Sequence, residues 1–303
     1  RRKACMLVRA DKNGQFYSCL YFVPRDLFST ALRLSIQTLL TKMFNATDIE
    51  FINSLGESVL ARTYFVLRVP PGQPTPDLEQ LESEVQALSR SWNEDLHSAM
   101  VDAFGEELGT TRSNLYREAF PAAYREHFTT LHAVHDIEKM EALKGSPLTM
   151  SFYRLLEESQ TVLRFKLFTT AVPLILSDVI PVLENLGLRV VGEHPFVVHC
   201  SNNVKYWIHD FSLTLKGGNG VVELEEVKEI FQQAFAAIWQ QKADNDEFNR
   251  LVLNAGLNWR EVVMLRAYAR YNQQIRFGFS QQYIAETLSR HAHVTRLLVA
   301  LFR

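Results

Sequence analysis

The sequence has little cysteine, almost no net charge, and none of the short motifs that hold a nucleotide or a catalytic metal. Its three cysteines, Cys5, Cys19 and Cys200, lie far apart in a chain of 303 residues and are odd in number. Each sits in an apolar, strand-like stretch, so buried reduced thiols and a cytoplasmic setting are expected rather than a disulfide framework. A formal net charge of −2 gives no basic footprint for DNA or RNA. The longest apolar region, residues 162–183, is broken by Arg164, Lys166, Pro173, Asp178 and Pro181. Burying those charges in lipid is costly, which argues against a membrane span.

Phosphate-binding signatures are missing too. No Gly-x-Gly-x-x-Gly follows a strand and no Gly-Lys-Ser/Thr opens a helix. The glycines of Lys216-Gly217-Gly218-Asn219-Gly220 read as a connection. His132 and His135, with Asp136 beside them, are a candidate metal pair on one helix face, but no third ligand is near in sequence and no His-Glu-x-x-His pattern exists. Packing histidines and a chain without zinc are expected. His194, His199 and His209 alternate with apolar residues, which puts one face in the core and leaves pH sensing as the alternative. Residues 61–69, with Tyr64 and Phe65, faintly resemble the aromatic strand of an RNA-recognition domain, but that signature's glycines are absent. A core strand is the expectation.

What is present is a repeat. Residues 16–69 and 161–215 follow one plan of strand, helix, strand, strand, each preceded by a short apolar segment and followed by helix, which implies two similar small domains. In the first, strands at 4–9 and 16–23 flank an Asn13-Gly14 hairpin signal. Asp26 is the expected cap of a helix with Leu27, Ala31, Leu34, Leu39 and Met43 on its apolar face. Strands at 48–55 and 60–69 follow across Gly56-Glu57-Ser58, and residues 70–76 form a Pro-rich linker. A helix over 77–104 opens at Asp77 and is interrupted by Gly105 and Gly109. A further helical stretch over 115–143 has Pro121 near the start of its main segment and stops at Gly145-Ser146-Pro147.

The second copy has strands at 148–155 and 162–169, then a helix capped by Ser177 or Asp178, with Pro181 in its first turn and Gly187 as its left-handed stop. Strands at 188–200 and 205–215 and a helix over 223–241 complete it. The tail is helical: 259–277 capped by Asn258, 281–290 capped by Ser280, and 291–303. The expected fold is α+β, two ferredoxin-like antiparallel-sheet units joined and followed by helices, divided as residues 1–76, 77–147, 148–243 and 244–303. The chain starts at Arg1-Arg2-Lys3 without Met and ends on Arg303 without a helix stop, so a longer parent polypeptide is expected.

Three stretches carry a resemblance. They are Phe16-Tyr17-Ser18-Cys19-Leu20 running into Val23-Pro24-Arg25-Asp26; Val134-His135-Asp136-Ile137-Glu138; and Asn254-Ala255-Gly256-Leu257-Asn258-Trp259-Arg260-Glu261-Val262-Val263-Met264-Leu265-Arg266-Ala267-Tyr268, continuing through Gly278-Phe279-Ser280-Gln281-Gln282-Tyr283-Ile284. Together they resemble the large bacterial NAD-specific glutamate dehydrogenases. The resemblance implies ACT-like domains and helical motifs ahead of a catalytic domain, which itself would lie beyond Arg303. It implies no catalytic, cofactor-binding or metal residue in this chain. NAD would serve the parent enzyme, which interconverts L-glutamate with 2-oxoglutarate and ammonia. Amino-acid-binding ACT domains usually carry a Gly-rich loop between first strand and first helix, whereas Pro24-Arg25-Asp26 and Thr169-Thr170-Ala171-Val172-Pro173 stand here.

The implied role is a non-catalytic regulatory and oligomerisation region of a cytoplasmic homo-oligomer. The alternatives are an amino-acid-sensing module and, more weakly, an RNA-binding module. The aromatic and basic tail, with Trp259, Arg260, Arg266, Arg270 and Phe279, is the candidate docking element for the catalytic domain of the same chain, the alternative being a solvated face paired with Glu261 and neighbouring acids.

Overall fold

In a computed structural model, which describes residues 4–12, 15–25, 27–54, 59–71, 76–155, 157–170, 172–217 and 223–302, the two repeats become two four-stranded antiparallel sheets. The chain divides into two compact units, residues 1–98 and 99–303. The expected signals at Asn13-Gly14, Asp26, Gly56-Glu57-Ser58 and Gly218-Asn219-Gly220 lie outside the described residues, as do both chain ends.

The first unit opens with the hairpin β1 (Cys5–Ala10) and β2 (Phe16–Pro24). Helix α1 (Thr30–Phe44) follows, capped by Ser29, whose hydroxyl accepts from the Leu32 N–H at 3.1 Å. Starting there, the helix turns Ile36, Leu39, Leu40 and Phe44 inward and leaves Leu34, an expected core residue, exposed. β3 (Asp48–Ser54) and β4 (Leu60–Arg68) complete a sheet of order β1-β2-β4-β3. Period-two alternation sends Tyr17, Cys19, Tyr21, Phe65 and Leu67 into one core with α1. α2 (Leu78–Leu88), capped by Asp77 as expected, adds Leu81 and Val85 to it.

The single helix expected over 77–104 is two. Between α2 and α3 (Trp92–Phe104), Ser89 bonds the Val85 carbonyl and the Tyr21 hydroxyl. Ser91 and Glu94 then form a reciprocal cap: the Glu94 N–H donates to Ser91 Oγ and the Ser91 N–H to Glu94 Oε2, each at 3.2 Å.

In the second unit, α4 (Glu106–Tyr116), α5 (Ala122–His127) and α6 (Thr130–Glu141) precede the sheet. The stretch expected as one helix over 115–143 is thus the end of α4 and two short helices. Gly105 stops α3 at a φ of +80°. Gly109 is no interruption but lies inside α4, where an added Cβ would stand 2.5 Å from the Met100 carbonyl oxygen. β5 (Thr149–Tyr153), β6 (Leu163–Thr170), α7 (Leu176–Asn185), β7 (Leu188–His199) and β8 (Lys205–Leu215) follow, with sheet order β5-β6-β8-β7. This is the order of the first sheet. Each unit is a ferredoxin-like strand–helix–strand–strand core whose fourth strand arrives from the N-terminal side.

α7 starts one residue before Ser177, with Ile175 at the cap position, so Ser177 and Asp178 lie within its first turn and Pro181 falls in the second. Pro181 and Ser177, the residue whose carbonyl loses a partner, are both exposed, so water can take that bond. Gly187 ends the helix at a φ of +92°. α8 (Leu224–Trp239) brings Phe231 and Phe235 onto the sheet; Phe152 stacks on Phe231 at 4.3 Å between centroids. A 3-10 turn (Glu247–Arg250), α9 (Leu251–Ala255), α10 (Trp259–Gln274), α11 (Gln281–Arg290) and α12 (Ala292–Ala300) extend the same core. Asn258 and Glu261 form a capping box on α10, and Ser280 caps α11. α10 ends three residues before the expected 277.

A glycine-to-alanine change inside a helix normally stabilises, by about 1 kcal/mol. Gly109→Ala is expected to do the reverse, losing about 1–3 kcal/mol because the new methyl meets backbone rather than a movable side chain. Urea unfolding of both proteins decides the sign.

Candidate functional site

The densest set of buried ionisable groups lies on the second sheet. β6 is a central strand buried on both faces. Leu163, Phe165 and Leu167 point to the core with α7 and α8, so Arg164, Lys166 and Phe168 point the other way. In register, Ser151, Lys166, Asp210 and His194 form one row across all four strands. α5 and α6 cover its first three members, and His194 at the β7 edge is exposed. Phe196 meets the rings of Tyr124 and Phe128 edge-on at 5.4 and 5.8 Å. Asp136 Oδ2 accepts from Lys166 Nζ and from the Tyr124 hydroxyl, both at 2.6 Å. The ammonium also stands 3.7 Å from the centre of the Phe128 ring.

Next to it, Asp210 accepts from the Tyr153 hydroxyl at 2.8 Å and from Arg164 at 3.0 Å, and Arg164 reaches on to Glu158. Burial, and then the Asp136 charge, pushes the Tyr124 phenol well above its ordinary range; burial and Asp210 do the same to Tyr153. Both hydroxyls therefore stay protonated and donate. Burial also raises the Asp210 carboxyl, against the pull of Lys166, Tyr153 and Arg164. Lys166, Asp136 and Asp210 are each at most 2% exposed. A general acid or base must reach its substrate; these groups reach only one another. The cluster is an anchor that fastens α5 and α6 to the sheet.

The candidate metal pair does not converge. His132 Nδ1 lies 2.9 Å from Thr129 Oγ1, His135 Nε2 lies 3.3 Å from Ser151 Oγ, and Asp136 is committed to Lys166. Among the described residues no group of three His, Cys, Asp or Glu side chains could hold a metal ion. Of the strand histidines, His194 and His199 are exposed and His209 is buried. The Leu174 N–H donates to His209 Nε2 at 3.1 Å, so the ring proton sits on Nδ1 and is donated to Glu193 Oε1 at 2.8 Å. His209 thereby ties Leu174, just ahead of α7, to Glu193 of β7.

The tail residues separate. Arg266 is only 2% exposed. It donates to both oxygens of Asp246, at 2.6 and 2.9 Å, to Asn249 Oδ1 at 2.8 Å and to the Asp244 carbonyl. It binds α10 to the preceding turn and offers nothing to a partner. Trp259 is half-buried against the same core and Arg260 lies over its ring at 4.9 Å. Arg270 is exposed, paired with Asp244 at 2.6 Å. Phe279 is exposed, stacked on Tyr283 at 4.9 Å and against Phe277 at 5.2 Å; Tyr271 and Tyr268 are exposed as well. A shallow cleft of about 190 Å³ runs between Lys242–Asp244 and α10, less than the ~300 Å³ at which ligand pockets usually begin. Both arginines lining it already hold carboxylates.

Sequence reasoning singled out Lys166 only as a charge that breaks an apolar run. The available signal was a lone Lys at the centre of a strand with Asp210 at the centre of another. Burial pushes the Cys19 thiol up to about 12 and the Cys200 thiol up to about 11, so neither is a ready nucleophile.

Two α+β units of one topology, a closed polar cluster on the second and a helical tail define a class of protein: ACT-like domains alternating with helical motifs. Comparison with known proteins gives four matched regions. Residues 5–93 match the ACT2 domain of glutamate dehydrogenase, 99–143 its helical motif 2, 147–227 its ACT3 domain and 243–303 its helical motif 3. The whole chain is 49% identical over 304 residues to the NAD-specific glutamate dehydrogenase of Halomonas elongata, 46% over 305 to that of Pseudomonas aeruginosa and 32% over 319 to that of Mycobacterium tuberculosis. The chain is a segment of the ACT and helical-motif region of the large NAD-specific glutamate dehydrogenases. It spans 19% of the length of each of these relatives.

Removing one partner of a buried ion pair leaves an uncompensated charge. Lys166→Met is expected to cost about 3–5 kcal/mol, and the double change Lys166→Met/Asp136→Leu less than that single change. Arg266→Met, which strands Asp246 and Asn249, is expected to lower the segment's own stability by about 3 kcal/mol, whereas Arg270→Met is expected to leave it within about 0.5 kcal/mol. Chemical denaturation of the four variants checks these values; a neutral Lys166→Met would remove the anchor.

Proposed function

We propose that this segment is a non-catalytic regulatory and assembly region of a cytoplasmic, homo-oligomeric NAD-dependent glutamate dehydrogenase. The parent enzyme would convert L-glutamate, NAD and water to 2-oxoglutarate, ammonia and NADH. The observation that carries the reading is the closure of the polar clusters: Lys166, Asp136 and Asp210 are sealed from any substrate. Hydride transfer also needs NAD held against the substrate, and neither sheet is preceded or followed by a dinucleotide fingerprint. The segment alone should therefore give no NADH with saturating glutamate and NAD. Turnover that survives purification and follows the protein through every column would defeat the proposal.

The tail supports a docking role toward the catalytic region of the same chain. Its exposed rings, Tyr271, Phe277, Phe279 and Tyr283, are the kind of side chain that anchors interfaces. Arg266 has no part in this surface. In the whole enzyme, Phe279→Asp with Tyr283→Asp should reduce activity or assembly, while the isolated segment keeps its melting temperature because both rings are about half exposed. Unchanged activity and unchanged subunit mass would mean that the rings are merely solvated.

An amino-acid-sensing reading has one observation in its favour, the hold of His209 on Leu174 just ahead of α7. A stoichiometric amino acid that raises the melting temperature in proportion to the logarithm of its concentration would support it.

A further inference from the structure

The two sheets share a topology but not an environment. On the second, the face opposite α7 and α8 is covered by α5 and α6, which come from the helical stretch immediately before β5. Of the described residues on the corresponding face of the first sheet, opposite α1 and α2, only Pro24 at the end of β2 is buried. Its central row, Leu7, Leu20, Tyr64 and Ile52, runs in register across all four strands. All four side chains are large, and Leu7 and Ile52 are 60% and 68% exposed. The row occupies the middle of its sheet, as Ser151, Lys166, Asp210 and His194 do in the second. Phe22 extends the apolar surface from the neighbouring row and has Arg62 over its ring at 5.8 Å. An apolar belt across a whole sheet is not ordinary solvent-facing surface; contiguous patches of this kind mark contacts. Arg9 on β1 and Arg62 and Arg68 on β4 flank the belt, with Asp48 and Glu50 on β3.

We infer that in the full-length polypeptide this face is covered by the helical segment immediately N-terminal to β1, the counterpart of residues 99–143. Three observations commit the surface to that occupant. In the repeat that can be seen whole, the cover comes from the segment just before the first strand. The family regions alternate along the chain, with helical motif 2 before the ACT3 domain, so a helical segment before the ACT2 domain continues the pattern. The relatives are about five times as long as this chain, which leaves ample polypeptide to supply it. The chemistry of the face describes the occupant: one or two amphipathic helices with an apolar stripe for the belt and acidic residues for Arg9 and Arg62. No acid–base pair like Lys166 and Asp136 is needed, since the central row here is apolar. The inference rests on the family assignment and the repeat, and is independent of any regulatory role.

Ile52 is the probe site because its substitution disturbs no core. Ile52→Cys is made in the full-length enzyme and in the present segment, and each is labelled with a benzophenone maleimide. In the segment the thiol should react freely. In the full-length enzyme labelling should slow by about tenfold or more, because it must await local opening. Label introduced under mild denaturant and refolded should then photo-cross-link, within one chain, to a peptide preceding β1. A second variant, Leu7→Cys, repeats the measurement from the opposite edge. Equal labelling rates in segment and enzyme would overturn the inference, as would cross-links from both sites to another subunit or to the catalytic region.

Discussion

The ion pair between Lys166 and Asp136 sets the architecture of the second unit. An ammonium at the centre of a buried strand cannot remain unpaired, since desolvating it alone costs several kcal/mol. Its counter-charge comes from another element, α6, and the Tyr124 hydroxyl and the Phe128 ring complete its surroundings. The sheet is therefore stable in this form only with the helices in place. The apolar opposite face, packed on Phe231 and Phe235, supplies most of the burial; the ion pair decides what covers the other side and in which register.

The same sheet topology thus serves two chemical environments. Where the central row is Ser151, Lys166, Asp210 and His194, the cover is specified by charge. Where it is Leu7, Leu20, Tyr64 and Ile52, the row offers apolar area, with Arg9 and Arg62 beside it. A polar row tolerates few partners, because a misplaced one leaves a buried charge. An apolar row binds with less discrimination. The two ACT-like units are alike in fold and differ in how strictly each selects its neighbour.

Much of this organisation was legible in the sequence because it rests on local rules. The repeat followed from the order of strand-like and helical stretches. Asp77, Asn258 and Ser280 cap the helices assigned to them, and Gly187 ends its helix in the left-handed region, since each of these positions is decided within one turn. The break at Ser91 has a local signal, the capping-box spacing of Ser91 and Glu94, but it lies inside a continuous apolar stripe that reads as one helix. Leu34 and Arg266 were not legible. Leu34 has helical spacing from Ala31, but its face is set by a start at Thr30 and by which side the sheet occupies. Arg266 looks like a surface arginine until Asp246 and Asn249 fold back onto it from twenty and seventeen residues away. Lys166 required knowing that β6 is covered on both faces, a property of tertiary structure rather than of the strand.

Native-state hydrogen exchange tests the anchor most directly. If the buried pair fastens the helices to the sheet, the amides of α5 and α6 should exchange together with those of β6 and β8, in one cooperative opening with a common free energy. Exchange of α5 and α6 well ahead of a still-protected sheet would contradict the account, because the cover would then leave Lys166 bare without unfolding the strand that carries it.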